Sequence, residues 1–268
     1  MTPSPIALTI AGSDPSGGAG IQADLKVFAA MGVYGSSVIA TLTVQNSHGV
    51  QANYPVDASI VRAQLESLYE DFSMVAVKTG AFGNTENVIE VGRFFAKNPI
   101  PALVVDPVLY SSSGMPLLAG DAVSMLRQHL VPYAFLVTPN LFELRALTGS
   151  ADDAFSIEEV TKQAKILLQQ GAHAVLAKGG HRHGDPIDVL VTSEDVCIFS
   201  SARVQTTCTH GTGCTLSAAI TGLLAKGYTL KDAIQSAKRY LTQAMQCAKP
   251  MGAGTGSLHH LFMLEPWV

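Results

Sequence analysis

Short apolar runs rich in β-branched residues alternate with helical patterns along nearly the whole chain. Six runs predict strands, at residues 6–10, 37–42, 74–78, 103–106, 135–138 and 174–178. Alternation of this kind is typical of a mostly parallel sheet with helices on its faces. The pattern therefore predicts an α/β fold.

The segments between these runs carry apolar residues at spacings of three and four, as amphipathic helices do. Ile21, Leu25 and Phe28 follow this spacing in one early segment, and Leu65 and Leu68 do so in the next, where Ile60 is also predicted on the apolar face. Later helices are predicted over 84–96, 121–130, 157–170, 213–226 and 230–248. No stretch resembles a linker, so we expect one domain spanning residues 1–268.

Composition agrees with a buried sheet. The 268 residues are 47% hydrophobic and 14% charged, enough apolar surface for a large core with both sheet faces covered. A net charge of -4 without a basic stripe or tail argues against nucleic acid as a partner.

The N-terminus, the length of the apolar runs and the cysteines bear on the cellular location of the protein. The N-terminus has no basic segment before its first apolar run, and no apolar run approaches the roughly 20 residues that span a bilayer. Four unevenly spaced cysteines contain no Cys-x-x-Cys pair. We expect no membrane association and a reducing, cytoplasmic location.

Polar residues follow each predicted strand, at 12–14, 45–46, 79–80, 106, 138–140 and 178–180. Each alone is compatible with ordinary turn or cap chemistry. Ligands of parallel α/β sheets bind beyond the carboxyl ends of the strands. Together these residues therefore predict a site at that edge.

The strongest local signal is Thr-His-Gly-Thr-Gly-Cys-Thr at 209–215, which leads directly into an apolar helix. Glycines at a helix start admit a close ligand, and the free N–H groups there favour an anion. An empty, glycine-softened helix start is the alternative. For Cys214, the helix dipole predicts a lowered thiol pKa and a base or nucleophile, whereas burial as a small apolar side chain is the competing interpretation.

A second glycine-rich segment, Pro-Ser-Gly-Gly-Ala-Gly at 15–20, opens the first helix. Its spacing is not the dinucleotide fingerprint, and the chain has no Walker P-loop motif, so a nucleotide would be bound in another way. Asp106, Glu143 and Lys178 are candidates for holding Mg²⁺ and balancing phosphate charge.

Two pairs of polar residues near this edge admit structural interpretations. Asn140 and Glu143 are three apart at a helix start, where they could present oxygen ligands or form a capping box. His181 and His183 lack a third nearby ligand and are interpreted as loop histidines.

Six segments occur in a fixed order: AGSDPSGGAGIQADLK at 11–26, QN at 45–46, DPV at 106–108, TPN at 138–140, KGGH at 178–181 and HGTGCT at 210–215. Their order and spacing resemble the hydroxymethylpyrimidine and hydroxymethylpyrimidine-phosphate kinases of thiamine biosynthesis. The resemblance implies a ribokinase-like, three-layer α/β/α sandwich and a homodimer. It also implies ATP- and Mg²⁺-dependent phosphorylation of 4-amino-5-hydroxymethyl-2-methylpyrimidine and then of its monophosphate.

The resemblance also implies roles for individual residues. Gly12, Asp24, Gln45 and Ala81 would lie around the pyrimidine, with the Gln45 amide reading the ring's amino and nitrogen edge. Three residues would bind Mg²⁺: Asp106, Asn140 and Glu143. Three would bind ATP: Lys178, Thr212 and Thr215. The residues that would act in phosphoryl transfer are Gly211, Gly213, Cys214 and again Lys178.

One departure from the family pattern affects these expectations, and one feature supports the assignment to this branch. Ala81 stands where the family often has methionine, which predicts a wider pocket. Cys214 replaces the catalytic aspartate of many ribokinase-like enzymes, as in the pyrimidine kinases and some pyridoxal kinases.

Two other functions remain open. One is a pyridoxal, pyridoxine or pyridoxamine kinase, although Tyr110 and Ser111 stand where the two-cysteine pyridoxal kinases carry a lid cysteine. The other is a non-catalytic vitamer-binding protein, for which a phosphate-binding apparatus would be unnecessary.

Overall fold

The computed structural model describes residues 4–111, 114–118, 121–151, 154, 156–180 and 184–264. Nine strands form one sheet: β1 Ile6–Ser13, β2 Tyr34–Asn46, β3 Gly49–Pro55, β4 Ala76–Thr79, β5 Ala102–Val105, β6 Leu136–Val137, β7 Ala174–Ala177, β8 Ile187–Thr192 and β9 Val196–Ser200. Eight α-helices accompany them: α1 Gly20–Ala30, α2 Ala58–Asp71, α3 Thr85–Lys97, α4 Ala122–His129, α5 Leu141–Thr148, α6 Ile157–Gln169, α7 Thr212–Ala225 and α8 Leu230–Gln246.

The sheet order is β3-β2-β1-β4-β5-β6-β7-β8-β9. Strands β2, β1, β4, β5, β6 and β7 are parallel to one another, and β3, β8 and β9 join at the two edges by antiparallel pairing. The parallel strands place their carboxyl ends on one side, where the loops carry the predicted polar residues. The predicted mostly parallel sheet is confirmed.

Both faces of the sheet are buried. In β5, Leu103 and Val105 belong to one core cluster and Val104 to the other, because successive side chains of a strand point to opposite faces. The first cluster lies against α2 to α6 and the second against α1, α7 and α8. This arrangement confirms the three-layer sandwich.

The six predicted strands and the predicted helices are present, with ends shifted by a few residues. The inward position predicted for Ile60 is wrong: Ile60 is 54% exposed, and Val61 packs inward with Leu65 instead. The sequence pattern does not predict the antiparallel strands β3, β8 and β9. Among the described residues, no helix is long and apolar enough to cross a membrane. His181 and His183 lie outside the described residues, as do positions 112 and 113.

Candidate active site

Two glycine loops, one after β1 and one before α7, pack directly against each other. Gly211 has φ of 86°, and a Cβ there would lie 2.9 Å from the carbonyl carbon of Gly18 and closer still to its oxygen. Gly20 has φ of 57°, and a Cβ there would lie 3.2 Å from the carbonyl carbon of Gly12 and closer still to its oxygen. Side chains are therefore excluded at Gly20 and Gly211, and the contact between Gly211 and Gly18 fixes the two loops against each other.

Asp14 ties these loops together. Its carboxylate accepts hydrogen bonds from the first loop and from His210 Nε2, the latter at 2.9 Å. The partners in the first loop are Ser16 N at 2.9 Å, Ser16 Oγ at 2.7 Å, Gly18 N at 3.2 Å and Ala19 N at 2.8 Å. Burial opposes ionisation, but these bonds outweigh it and lower the pKa of Asp14 to about 2. Asp14 is therefore an ionised structural centre of the site.

The start of α7 faces two charged groups. Gly211 is the N-cap and has no side chain with which to cap the first-turn N–H groups. A Cβ on Gly213 would lie 3.4 Å from Lys178 Nζ and 4.0 Å from Asp106 Oδ2. Uncapped N–H groups beside an ammonium group form a suitable environment for a phosphate.

Lys178 and Asp106 form an ion pair at the carboxyl ends of β7 and β5. The Lys178 Nζ to Asp106 Oδ1 distance is 2.9 Å, and Ser217 Oγ of α7 donates to Asp106 Oδ2 at 2.9 Å. Burial raises the pKa of Asp106, but Lys178 and then Lys78 outweigh it and hold that pKa low. Burial lowers the pKa of Lys178, yet Asp106 and Glu143 raise it overall, so the lysine is a cation at neutral pH.

Asn140 and Glu143 form a capping box at the start of α5. Asn140 Oδ1 accepts from Glu143 N at 2.8 Å, and Glu143 Oε2 accepts from Asn140 N at 2.9 Å. The capping interpretation is thus confirmed, although both side chains also line the cavity. Burial and the nearby Asp106 raise the pKa of Glu143 against the opposing effect of Lys178. A further cation here would relieve this repulsion.

The residues predicted to bind a metal suit Mg²⁺, which phosphates and water also coordinate, better than a metal ion coordinated by protein side chains alone. In the described part of the chain, no group of three or more His, Cys, Asp or Glu side chains is placed to hold a metal ion. Mg²⁺ in nucleotide sites commonly uses one or two carboxylates, with phosphates and water completing its shell. Asp106 and Glu143 supply that number of carboxylates.

A fully buried ion pair lies beneath the cavity. Lys78 Nζ is 2.7 Å from Asp24 Oδ2, which also accepts from Thr9 Oγ1 at 2.6 Å, and both charged side chains are 0% exposed. Burial would lower the pKa of Lys78, but the carboxylates of Asp24 and then Asp106 raise it overall. Asp24 therefore lies below the wall and not on it, which corrects its expected direct contact with the substrate ring.

Cys214 lies in the cavity wall as a neutral thiol. Burial raises its pKa; Lys78 and a hydrogen bond from the Gly20 backbone N–H act in the opposite direction, and Asp24 adds to the rise. The net shift is upward from an ordinary value of 9.0. The predicted lowering of this pKa by the helix start is wrong, because burial exceeds the effect of the nearby positive groups.

Thr215 also departs from the expectation. It is 0% exposed, and its Oγ1 is hydrogen-bonded to His260 Nε2 at 3.0 Å on the far side of α7. Because two residues turn an α-helix by about 200°, Thr215 points away from the Gly213 face, so it anchors α7 and does not line the cavity. Thr212, by contrast, lies in the cavity wall.

The other predicted site residues meet around one cavity of about 780 Å³. Members from both glycine loops, from the strand ends and from the start of α5 contribute to its wall: Gly12, Gln45, Ala81, Asp106, Asn140, Glu143, Lys178, Gly211, Thr212, Gly213 and Cys214. Such a volume accommodates a ring substrate beside a nucleotide. The strand-end residues thus converge as the sequence predicted.

A model of the phosphomethylpyrimidine kinase family matches residues 14–259. The chain belongs to this family. It is 46% identical over 264 residues to the hydroxymethylpyrimidine/phosphomethylpyrimidine kinase of Rhizobium meliloti, covering 95% of this chain and 96% of that protein. The resemblance found in the sequence is confirmed.

Solved structures place the family beside pyridoxal kinases. The phosphomethylpyrimidine kinase of Clostridium difficile 630 is 40% identical with a TM-score of 0.79, over 89% of this chain and 98% of that one. An ADP complex of Bacillus subtilis pyridoxal kinase is 34% identical with a TM-score of 0.88, over 98% of this chain and 100% of that one. The ribokinase-like fold is shared, so the fold does not distinguish the two substrates.

Several residues of this family member were not predicted as parts of the site. Asp188 of β8 accepts from Gly179 N at 2.9 Å and pairs with Lys238 of α8 at 2.5 Å, which fixes the loop after Lys178. Lys78 and Ser217 support Asp24 and Asp106 from below. These side chains lie within strands and helices, where a search for residues that follow strands does not find them.

Proposed function

We propose that this phosphomethylpyrimidine kinase family member transfers the γ-phosphoryl group of ATP to 4-amino-5-hydroxymethyl-2-methylpyrimidine and then phosphorylates the monophosphate. The observation that carries the proposal is the uncapped start of α7, with Gly213 close to Lys178 and Asp106, in the same cavity as Gln45. Phosphoryl transfer depends mainly on positioning and charge stabilisation, which this arrangement supplies.

In the proposed reaction, the hydroxymethyl oxygen attacks the γ-phosphorus, a new P–O bond forms, and the bond to the leaving ADP oxygen breaks. The backbone N–H groups of Gly211 to Cys214 and the Lys178 ammonium stabilise the oxygens of the transferred group. Thr212 contacts the ATP phosphates from the same loop. The neutral thiol of Cys214 must first lose its own proton; its thiolate form, which Lys78 favours from below, then accepts the proton of the substrate hydroxyl.

Mg²⁺ would be held by Asp106, with Asn140 and Glu143 acting directly or through water, and would neutralise phosphate charge. Asp106 and Glu143 line the same cavity, so both carboxylates are available to one cation there. When phosphates and Mg²⁺ are absent, Lys178 is the counter-ion of Asp106.

The ring would be bound by Gln45 against Gly12 and Ala81. Asp24 acts indirectly, by holding Lys78 below Cys214. Gly12 lies close to Ala81, since a Cβ added to Gly12 would be 3.7 Å from the Ala81 Cβ. The small side chain of Ala81 leaves a wider pocket, which would admit the monophosphate as well as the free alcohol.

The test measures coupled ADP release with hydroxymethylpyrimidine, its monophosphate and pyridoxal as separate substrates. We expect turnover of the two pyrimidines. Turnover of pyridoxal alone would assign the chain to the pyridoxal kinases of the same fold, and tight binding without ADP release would indicate a vitamer-binding protein.

Gly213→Asp tests the anion site itself. A Cβ at this position is tolerated, because its nearest neighbour outside α7 is the flexible end of Lys178, with Nζ at 3.4 Å. Its carboxylate would occupy the phosphate position and pair with Lys178. We expect a folded protein whose kcat/KM falls by about 100-fold or more; unimpaired turnover would show that no phosphate is bound there.

We further propose a cytoplasmic homodimer formed by a single catalytic domain. All four cysteines lie in the described part of the chain and are free thiols, which supports a reducing compartment. The edge hairpin β2–β3 exposes Leu42, Val44 and Tyr54 at 50%, 45% and 61%, which supports contact with a second copy. Sedimentation of wild type and Val44→Asp would test this, and a monomeric wild type would refute it.

A further inference from the structure

We propose that His210 and Thr43 together fix the side-chain amide of Gln45 in one orientation, with its oxygen toward His210 and its NH₂ group toward Thr43. This orientation determines the order in which a substrate ring must present its hydrogen-bond donor and acceptor. The inference rests on the proposed function in that Gln45 reads the ring.

The three side chains form a continuous network in the cavity wall. His210 Nε2 is 2.9 Å from Asp14 Oδ2 and 3.2 Å from the amide nitrogen of Gln45. Thr43 Oγ1 is 3.2 Å from the amide oxygen of Gln45 and 2.9 Å from the Ser13 carbonyl oxygen. His210 is only 8% exposed.

The His210 ring is held in place by its surroundings. A Cβ added to Gly18 would overlap the ring at Cδ2, so the ring lies in direct contact with the first glycine loop. The backbone on either side of this ring is fixed as well, by the His210 N to Gly256 O bond of 3.1 Å and by the tight packing of Gly211. The ring therefore offers Nε2 to Gln45 from a fixed position.

The proton between His210 and Asp14 belongs to the imidazole. Asp14 accepts four other hydrogen bonds and is ionised at neutral pH, since its pKa is about 2. A carboxylate has no hydrogen to donate, so the 2.9 Å contact requires an N–H on His210 Nε2. This holds whether the imidazole is neutral or charged.

An Nε2–H group cannot accept a hydrogen bond from the Gln45 NH₂ group. With the amide nitrogen toward His210, two donors would face each other, and Thr43, which has one hydroxyl hydrogen, would have to donate to both Gln45 and Ser13. A half-turn of the amide exchanges its oxygen and nitrogen and removes both conflicts. The Gln45 oxygen and Asp14 Oδ2 then both accept from the His210 Nε2–H group. The Gln45 NH₂ group donates to Thr43 Oγ1, and the Thr43 hydroxyl donates to the Ser13 carbonyl oxygen.

In this orientation the free edge of the amide presents its acceptor on the His210 side and its donor on the Thr43 side. A ring with an amino group beside an unprotonated nitrogen matches that order. A ring with a carbonyl beside an N–H reverses it, and binding would require the amide to turn and lose both supporting contacts. We expect wild type to prefer the 4-amino ring over its 4-oxo analogue by on the order of 100-fold in kcat/KM.

The experiment compares that preference across variants by ADP release. His210→Phe keeps a ring against Gly18 but has no N–H, and Thr43→Val keeps the shape but has no acceptor. In each we expect the preference to fall at least about tenfold because the amide can turn, while Thr43→Ser retains the wild-type ratio. Equal losses with both rings, leaving the ratio unchanged, would overturn the proposal.

A second measurement requires no substrate. Nitrogen-15 NMR of the histidine side chains, with the His210 signals assigned by their loss in His210→Phe, locates the imidazole proton. We expect it on Nε2, and a proton on Nδ1 alone would overturn the proposal. If neither ring is turned over while Nε2 carries the proton, the proposed substrate is wrong and the orientation of Gln45 stands.

Discussion

The contact between the two glycine loops predicts an unusually large effect of one methyl group. Gly211→Ala places a Cβ 2.9 Å from the Gly18 carbonyl carbon and nearer still to its oxygen, at a φ of 86°. Gly227 has a φ of 83° and no atom within 4 Å of an added Cβ. Gly227→Ala is therefore a matched control that changes the backbone preference alone.

The two contributions to the cost can be separated. An alanine at positive φ costs about 1 kcal/mol, and this is the whole expected effect of Gly227→Ala. Gly211→Ala has the same cost and must also separate the two loops by more than an ångström, which breaks the 2.9 Å Asp14–His210 contact. Losing that buried, charge-assisted bond adds about 2–3 kcal/mol. We expect a total of about 3–4 kcal/mol.

Urea unfolding of both variants measures the difference in stability, and ADP release measures the consequence for the site. Gly227→Ala should retain wild-type turnover. Gly211→Ala should lose most of it even at temperatures where it remains folded, because the start of α7 moves relative to Lys178. Equal stability and turnover in the two variants would refute the packing of the loops described above.

Three other predictions concern buried charges. Lys78→Met leaves Asp24 unpaired and should cost about 3–5 kcal/mol in urea unfolding, most of it recovered by adding Asp24→Leu; no recovery would argue against an isolated ion pair. The pKa of Asp14 is lowered from 3.8 to about 2, so its contribution of about 2 kcal/mol is present above pH 4 and is lost as the pH falls toward 2. The stability advantage of wild type over Asp14→Asn should narrow over that range, and a constant difference would contradict the assignment. Because the pKa of Cys214 is raised above 9.0, kcat/KM should keep increasing with pH past that value and Cys214→Asp should abolish the increase; a flat wild-type profile would exclude a thiolate base.

The parallel part of the fold could be predicted because its strands are apolar on both faces. The edge strands could not: β3 and β9 are only partly buried, and β8 carries Asp188 between apolar residues. Ile60 was misplaced by one position because Ile60 and Val61 are adjacent and both apolar. In each case, tertiary burial and not local pattern decided the outcome.

The site was predictable where residues follow strands, since topology alone brings those residues together. Asp24 and Thr215 were misplaced because each lies within a helix, where a shift of one residue turns a side chain by about 100°. The raised pKa of Cys214 was hidden for another reason. The sequence shows the helix start, which favours a thiolate, but not the burial that outweighs it.

The bond between Asp14 and His210 joins residues 196 positions apart in the chain. During synthesis, the first glycine loop leaves the ribosome long before the segment that completes it, and its carboxylate has no imidazole partner until α7 has formed. The phosphate site is therefore among the last features that a growing chain can assemble. A chain that ends before His210 would lack both the imidazole partner of Asp14 and the start of α7, and so could not form the proposed phosphate site.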